Sequence, residues 1–188
     1  MDIGAHEGEF AWEVKKRFPE CKILSIEANP FCENFLKKTG VDYYIIGLSS
    51  ESQKKTFFFE KQNPTSYGAS FYKENTIHYD VGNFATVEIQ TDTLDNKNFF
   101  QGQVIDFVKI DTQGSEYDIL VGGRKSIKRS KYVLIECSTI EYNLGGTLID
   151  EVVNKMREYE FNIDDIFNFN KSNNSIIQMD ILFKNSYL

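Results

Sequence analysis

Two kinds of apolar pattern alternate along the chain. Short and mostly apolar runs, typical of buried parallel strands, fall at residues 21–27, 41–46, 104–111 and 132–137. Between these runs apolar residues recur at helical spacing, as they do at Phe10, Val14 and Phe18. Strands that alternate with helices predict a parallel sheet with right-handed crossovers, the architecture of α/β proteins.

Residues 48–103 interrupt this alternation. Two runs with strand character, 56–60 and 86–91, flank a stretch at 63–72 that is rich in turn-forming and aromatic residues. A loop of this length in a compact domain is usually functional or disordered. We therefore predict that it forms a mobile rim over a ligand crevice.

The two ends of the chain carry different patterns. Residues 161–167 and 175–183 are strand-like and are joined by a short polar loop, which predicts an antiparallel pair. At the start, only residues 1–3 remain to form the first strand, which belongs in the middle of the sheet. Either this strand is unusually short or residues upstream of Met1 are missing.

Composition and charge narrow the class of protein. A chain of 188 residues with 41% apolar residues is expected to form one globular domain. Its net charge of −7 argues against a nucleic-acid partner, which requires clustered Lys and Arg. Cys21, Cys32 and Cys137 are odd in number and widely spaced, so we predict reduced thiols in a cytoplasmic protein. No apolar run is long enough to span a bilayer.

The first ten residues predict a ligand-binding turn. They place Asp2 at a strand end, then Gly4 and Gly8, and then the first amphipathic run. Glycines allow the backbone to approach a ligand closely, and the free N–H groups of a helix start favour anionic groups. The spacing differs from the Gly-x-Gly-x-x-Gly pattern of dinucleotide-binding folds.

Acidic residues recur at the predicted strand ends. Asp2, Glu27, Asp111 and Glu136 all fall at or near the carboxyl ends of strands, where open α/β sheets bind ligands. Glu27 lies nineteen residues after Gly8 and ends the second strand, so it can accept hydrogen bonds from a ribose diol. The alternative for Glu27 is a solvated acid that caps the following helix.

Several segments resemble one family. In chain order, DIGAHEGEF, SIEANP, DTLD, VIDFVKIDTQGSEYDIL and QMDILFKN are similar to segments of the FkbM-type S-adenosylmethionine-dependent methyltransferases. The stretch from Lys109 to Glu116 is the most specific part. The resemblance implies a class I methyltransferase fold: a seven-stranded, mainly parallel sheet with its last strand antiparallel, helices on both faces and a strand-rich insertion after the third strand. It covers the chain as a single domain, apart from the short first strand and the loop at 63–80.

The resemblance also implies an activity and a cofactor site. The expected activity is O-methylation of a hydroxyl, often in a sugar, glycan or natural product, with S-adenosylmethionine as cofactor and a small-molecule or glycan acceptor. In this family Glu27 would hold the ribose, Ala28 would lie beside the adenine, and the segment Gly47-Leu-Ser49 would flank it. From its place in the glycine turn, His6 is expected to shape the backbone rather than to act as a catalyst. The implied cofactor-binding residues are Asp2, Gly4, Ala5, His6, Gly8, Glu27, Ala28, Leu48, Ser49 and Asp111.

Methyl transfer to a hydroxyl benefits from a general base, because a neutral alcohol is a poor nucleophile. The candidates are Asp111, Glu136 and His78, the last of which lies among tyrosines that suit the C–H face of a sugar. Lys109 is predicted to pair with Asp111, and Glu116 is an acid of the first helical turn. Asp111 and Glu136 could instead share Mg²⁺, although two carboxylates are a weak metal signature.

Two alternatives to an O-methyltransferase remain open at this point. A nucleotide-sugar or NAD-dependent enzyme could use the same layered sheet, but the glycine spacing and the insertion disfavour it. A non-catalytic module that binds S-adenosylmethionine or a nucleotide would also fit, because the first strand is so short. The oligomeric state cannot be predicted from these patterns.

Overall fold

A computed structural model of the protein describes residues 1–75 and 81–188. The strands are β1 (Asp2–Ile3), β2 (Leu24–Glu27), β3 (Asp42–Ile45), β4 (Gly47–Leu48), β5 (Lys54–Glu60), β6 (Phe84–Asp92), β7 (Ile105–Ile110), β8 (Ser130–Ser138), β9 (Phe161–Ser172) and β10 (Ser175–Asn185). The helices are α1 (Glu9–Arg17), α2 (Glu33–Thr39), α3 (Leu94–Lys97), α4 (Glu116–Gly122), α5 (Arg124–Lys128) and α6 (Ile149–Glu158). Short 3-10 turns occupy Pro30–Cys32 and Val81–Asn83.

Seven strands form the main sheet, in the order β3-β2-β1-β7-β8-β10-β9. In this sheet the neighbouring strands β3, β2, β1, β7 and β8 are parallel, whereas β10 is antiparallel to both β8 and β9. This arrangement confirms the predicted class I methyltransferase fold. The strand order reverses at β1, which pairs with β2 on one side and with β7 on the other. Such a reversal opens a crevice beyond the carboxyl ends of the two strands.

The predicted insertion contains a second, three-stranded sheet in the order β4-β6-β5. Strands β5 and β6 pair antiparallel along their lengths, from Lys54 opposite Gln90 to Glu60 opposite Phe84. Both strands are longer than the apolar runs predicted at 56–60 and 86–91. The two-residue strand β4 joins this sheet directly after β3, so the small sheet begins beside the edge of the main one.

The core lies under the central strands. Ile3, Val108, Ile110, Val133 and Ile135 are all buried, which explains why these strands are nearly continuous apolar runs. Each such side chain contributes about 1.5–3 kcal/mol when it is removed from water. The three cysteines are unpaired, as predicted. Among the described residues, no helix is both long and apolar enough to cross a membrane.

Several boundaries differ from the predictions. Strand β2 begins at Leu24 rather than at residue 21, and the Cys21 carbonyl accepts a hydrogen bond from Lys15 instead of joining the sheet. The helix expected after Asn29 starts as a 3-10 turn, capped by the Asn29 side chain. The hairpin of β9 and β10 extends further than predicted, because Asn173 and Asn174 both adopt positive φ and form a tight two-residue turn.

Candidate active site

A cavity of about 490 Å³ lies at the carboxyl ends of β1, β2 and β7. Its wall includes Asp2, Glu27, Asp111 and Glu136, so the four strand-end acids converge as predicted. Of the predicted cofactor-binding residues, eight line the cavity: Asp2, Gly4, Ala5, His6, Glu27, Ala28, Leu48 and Asp111. Gly8 and Ser49 are not among its lining residues. His78 lies outside the described residues.

The two glycines of the first turn are required by contacts within the protein. Gly4 has a φ of 77°, and a Cβ atom there would lie 1.8 Å from the carbonyl oxygen of Asp111. Gly8 has a φ of 88°, and its Cβ would lie 2.6 Å from Cγ2 of Thr39 in α2. Gly8 thus permits close packing of the turn on α2, and its predicted contact with the cofactor stays a prediction.

Glu27 ties this turn to the loop after β2. Its Oε2 accepts a hydrogen bond from the backbone N–H of His6, and its Oε1 accepts one from the N–H of Asn29, both at 2.7 Å. Burial raises the pKa of Glu27, and the two N–H groups oppose that rise. The alternative of a solvated helix cap is wrong, because Glu27 is only 9% exposed and Asn29 caps the helix instead. A carboxylate oriented in this way can still accept a hydrogen bond from a ligand hydroxyl.

Asp2 is a buried acid without a hydrogen-bond partner. It has no exposed surface, and neither of its carboxylate oxygens has a partner within residues 1–75 and 81–188. Burial raises the pKa of Asp2 to about 6, and the nearby Lys109 ammonium opposes that rise. Because buried polar groups are normally satisfied, this carboxylate in the cavity wall is suited to a cationic or hydrogen-bond-donating ligand group.

Asp111 and Glu136 lie near the carboxyl ends of the adjacent strands β7 and β8 and share an amide donor. Nζ of Lys109 is 2.8 Å from Oδ2 of Asp111, which confirms the predicted pairing. Nε2 of Gln113 donates to Oδ1 of Asp111 at 3.3 Å and to Oε2 of Glu136 at 2.8 Å. Nε2 of Gln178 donates to the same Glu136 oxygen at 3.2 Å. Asp111 is thus held by a cation, and Glu136 by two neutral amides.

Glu136 is a carboxylate with a raised pKa. Burial is the main cause that raises the pKa of Glu136, to about 8, and the charge of Asp111 adds to it. Magnesium is not supported, because the Gln113 amide bridges the two carboxylates. The part of the chain that the structure describes holds no group of three or more potential metal ligands.

Residues 63–75, here called the cap segment, cover the cavity. The Pro64 carbonyl accepts a hydrogen bond from the Asn29 side chain at 2.7 Å. Tyr67 stacks on the His6 ring at 4.3 Å between centroids, and the Ser70 hydroxyl donates to the Gln113 carbonyl at 2.7 Å. The described part of the predicted rim therefore lies over the crevice and is hydrogen-bonded to both of its ends. Its mobility stays a prediction.

Comparison with protein families decides the identity of this fold. Residues 2–163 match the family model of the methyltransferase FkbM domain. The chain belongs to the FkbM methyltransferase family. The resemblance noted in the sequence is confirmed, and the protein is a methyltransferase. No curated protein matches the sequence.

Solved structures share the fold of this FkbM methyltransferase at low sequence identity. A proposed tRNA (m1A22) methyltransferase from Streptococcus pneumoniae has a TM-score of 0.55 and 8% identity, over 100% of this chain and 63% of its own. An S-adenosylmethionine-dependent methyltransferase from Clostridium acetobutylicum has a TM-score of 0.51 and 7% identity, over 98% and 82%. Mitomycin 7-O-methyltransferase has a TM-score of 0.50 and 12% identity, over 98% and 48%. At these identities the likeness shows the fold alone.

Sequence reasoning missed two residues of this site, Gln113 and Gln178. Gln113 adopts a φ of 55°, which is uncommon outside glycine, in a turn that the buried Glu116 holds together. Glu116 accepts hydrogen bonds from the N–H and hydroxyl of Thr112, both at 2.9 Å, and from the Gly114 N–H. The predicted structural role of Glu116 is thus refined: it shapes the loop that presents Gln113. A polar residue two positions after a strand-end acid is the available signal for Gln113; Gln178 has none.

Proposed function

We propose that this FkbM methyltransferase binds S-adenosylmethionine in the cavity and transfers its methyl group to a hydroxyl of a sugar, glycan or natural product. The observation that carries the proposal is Glu136: a carboxylate with a raised pKa, oriented by two amides, in the same cavity as the glycine turn. A group of that kind suits a proton acceptor near neutral pH.

The β1–β2 end of the cavity fits the cofactor. Glu27 is available to ribose hydroxyls, and apolar side chains beside it suit an adenine ring: Ile26, Ile46, Leu48 and Phe57. The unpartnered carboxylate of Asp2 suits the cofactor's ammonium or its methionine N–H groups. When bound, S-adenosylmethionine supplies an electrophilic methyl group on a sulfonium.

The chain's own residues then orient the acceptor and receive its proton. Glu136 accepts the hydroxyl proton, while Gln113 and Gln178 hold its carboxylate in place. Asp111, neutralised by Lys109, shapes the charge around the reacting groups without being the preferred base. Correct orientation is worth about 7–11 kcal/mol in such displacements, and a positioned base contributes about 10²–10⁴-fold.

The acceptor end also suits a carbohydrate. Tyr142 lines the cavity near Glu136, whose charge acts on its hydroxyl, and aromatic faces pack well against the C–H surface of a sugar ring. Side-chain amides of Asn170 and Gln178 add hydrogen-bonding groups for neighbouring hydroxyls.

Thermal shift and label transfer test the proposal together. S-adenosylmethionine and S-adenosylhomocysteine should raise the melting temperature and NAD should not, because only a ligand of the folded state stabilises it. Radiolabelled methyl groups should then appear on hydroxyls of a sugar or natural-product panel. Stabilisation by NAD alone, or cofactor binding with label on no hydroxyl, would contradict the proposal.

A further inference from the structure

The cavity wall is strongly acidic. Among the described residues it carries six carboxyl groups and a single Lys or Arg. The acids are Asp2, Glu9, Glu27, Glu74, Asp111 and Glu136, and the cation is Lys109. Residues 76–80, which the structure does not describe, contain no Lys or Arg in their sequence.

The single Lys or Arg among the described residues of the wall is already paired. Lys109 is 2.8 Å from Asp111, and its charge also acts on Asp2. Its ammonium lies mostly buried, with an 18% exposed side chain. A phosphate or carboxylate on the acceptor would therefore have to compete with Asp111 for its only cationic partner.

The acids at the acceptor end already repel one another. Burial is the main cause that raises the pKa of Glu136 and of Asp180, and the charge of Asp111 adds to both. A further acid of the same wall, Glu74, lies close by, since the charges of Glu74 and Glu136 both act on the Tyr142 hydroxyl. Bringing another unpaired anion into such a cavity is costly, since a buried charge needs a partner of opposite sign.

We infer that the acceptor unit methylated in this cavity is an uncharged or amine-bearing sugar, and that units carrying phosphate or carboxylate are rejected. The inference rests on the proposed function and adds the charge class of its substrate. Carboxylates, side-chain amides and tyrosines can accept and donate to sugar hydroxyls, and the carboxylates also pair with a protonated amine.

A panel of matched monosaccharide glycosides tests the inference. The methyl glycosides of glucose, glucosamine, glucuronic acid and glucose 6-phosphate differ mainly in charge. With S-adenosylmethionine in excess, kcat/KM for the two acidic members should be lower than for the other two by at least about tenfold, as like-charge contact predicts. Acidic members that are methylated as fast as the neutral one would overturn the inference and leave the proposed function intact.

A charge variant at the cavity rim sharpens the test. Asn170 lines the cavity and is exposed, so Asn170→Lys should add a cation without burying it. It should raise kcat/KM for the glucuronide relative to the glucoside, while Asn154→Lys on the exposed surface of α6 should not. An unchanged glucuronide-to-glucoside ratio in Asn170→Lys would count against the inference. Failure of every hydroxyl acceptor despite bound cofactor would instead refute the proposed function.

Discussion

The two ends of the cavity are built by different means. At the cofactor end, backbone N–H groups of neighbouring loops hold Glu27, so its position depends on the path of the chain. At the acceptor end, two side chains hold Glu136: Gln113 from the loop after β7 and Gln178 from β10. Backbone hydrogen-bond donors are hard to remove by substitution. Side-chain donors can be replaced one at a time, and each replacement can change the pKa and orientation of the carboxylate. We therefore expect the first end to tolerate little variation and the second to set reactivity.

The largest effect is expected at Glu136. Glu136→Gln removes the proposed base but keeps the size and hydrogen-bonding capacity of the side chain, so kcat should fall by about 10²–10⁴-fold. The Kd for S-adenosylmethionine, measured by calorimetry, should change little, because Glu136 belongs to the other end. Glu20→Gln, at an exposed position, is the matched control. Full activity in Glu136→Gln would remove it as the base.

Glu27→Ala should mainly weaken cofactor binding, whereas Glu136→Gln should mainly lower kcat. Each charge-assisted hydrogen bond to the ribose contributes about 1.5–3 kcal/mol, so the cofactor should bind more than about tenfold more weakly. The melting temperature should fall as well, because the N–H groups of His6 and Asn29 lose their acceptor. Glu33→Ala, at a half-buried acid of α2 that pairs with Lys37, provides the control. Unchanged cofactor affinity in Glu27→Ala would contradict the ribose assignment.

The pH dependence of activity should reflect the pKa of Glu136, which its side-chain neighbours influence. The base must be deprotonated, and the pKa of Glu136 is raised, so kcat/KM should rise with pH through about 8. Burial is the main cause of the raised pKa of Glu136, the charges of Asp111, Glu116 and Asp180 raise it further, and the charge of Lys109 lowers it.

Gln178→Leu should move that inflection further upward. The amide of Gln178 donates to the carboxylate and favours its charged form, so its loss should raise the pKa by up to about one unit. A pH–rate profile of the variant beside the parent protein measures the shift. A downward shift, or none, would contradict the proposed stabilisation of the Glu136 carboxylate by Gln178.

The smallest expected effect concerns the cap segment. Tyr67→Leu removes the stack on His6, which is worth about 0.5–1.5 kcal/mol, so cofactor affinity should weaken by about two- to tenfold. Tyr67→Phe keeps the stack and loses only the hydroxyl contact to Glu9, so it should bind nearly as well. Equal weakening in both variants would mean that the hydroxyl, not the ring, holds the cap in place.

The same contrast decides what could be predicted from the sequence. Asp2, Glu27 and Asp111 end strands of a recognisable α/β alternation, and strand ends of such a sheet converge by rule, so their meeting was predictable. The bounds of β2 were less predictable, because its neighbour β1 offers only two residues for pairing.

Other features depend on contacts between distant parts of the chain. A glycine is needed at position 8 because Thr39 of α2 leaves no room there for a Cβ atom. The residues of the Gln178–Glu136 contact are 42 positions apart in the sequence. No local pattern encodes such pairs. The sequence likewise could not rank Asp111 and Glu136 as the base, and our proposal of Glu136 rests on their partners, Lys109 and the two glutamines.

A crystal structure with bound S-adenosylhomocysteine tests the division of the cavity most directly. We predict ribose hydroxyls within hydrogen-bonding distance of Glu27, the amino-acid end beside Asp2, and the sulfur directed toward the space in front of Glu136. An adenosine bound elsewhere, or a sulfur directed away from Glu136, would contradict the account.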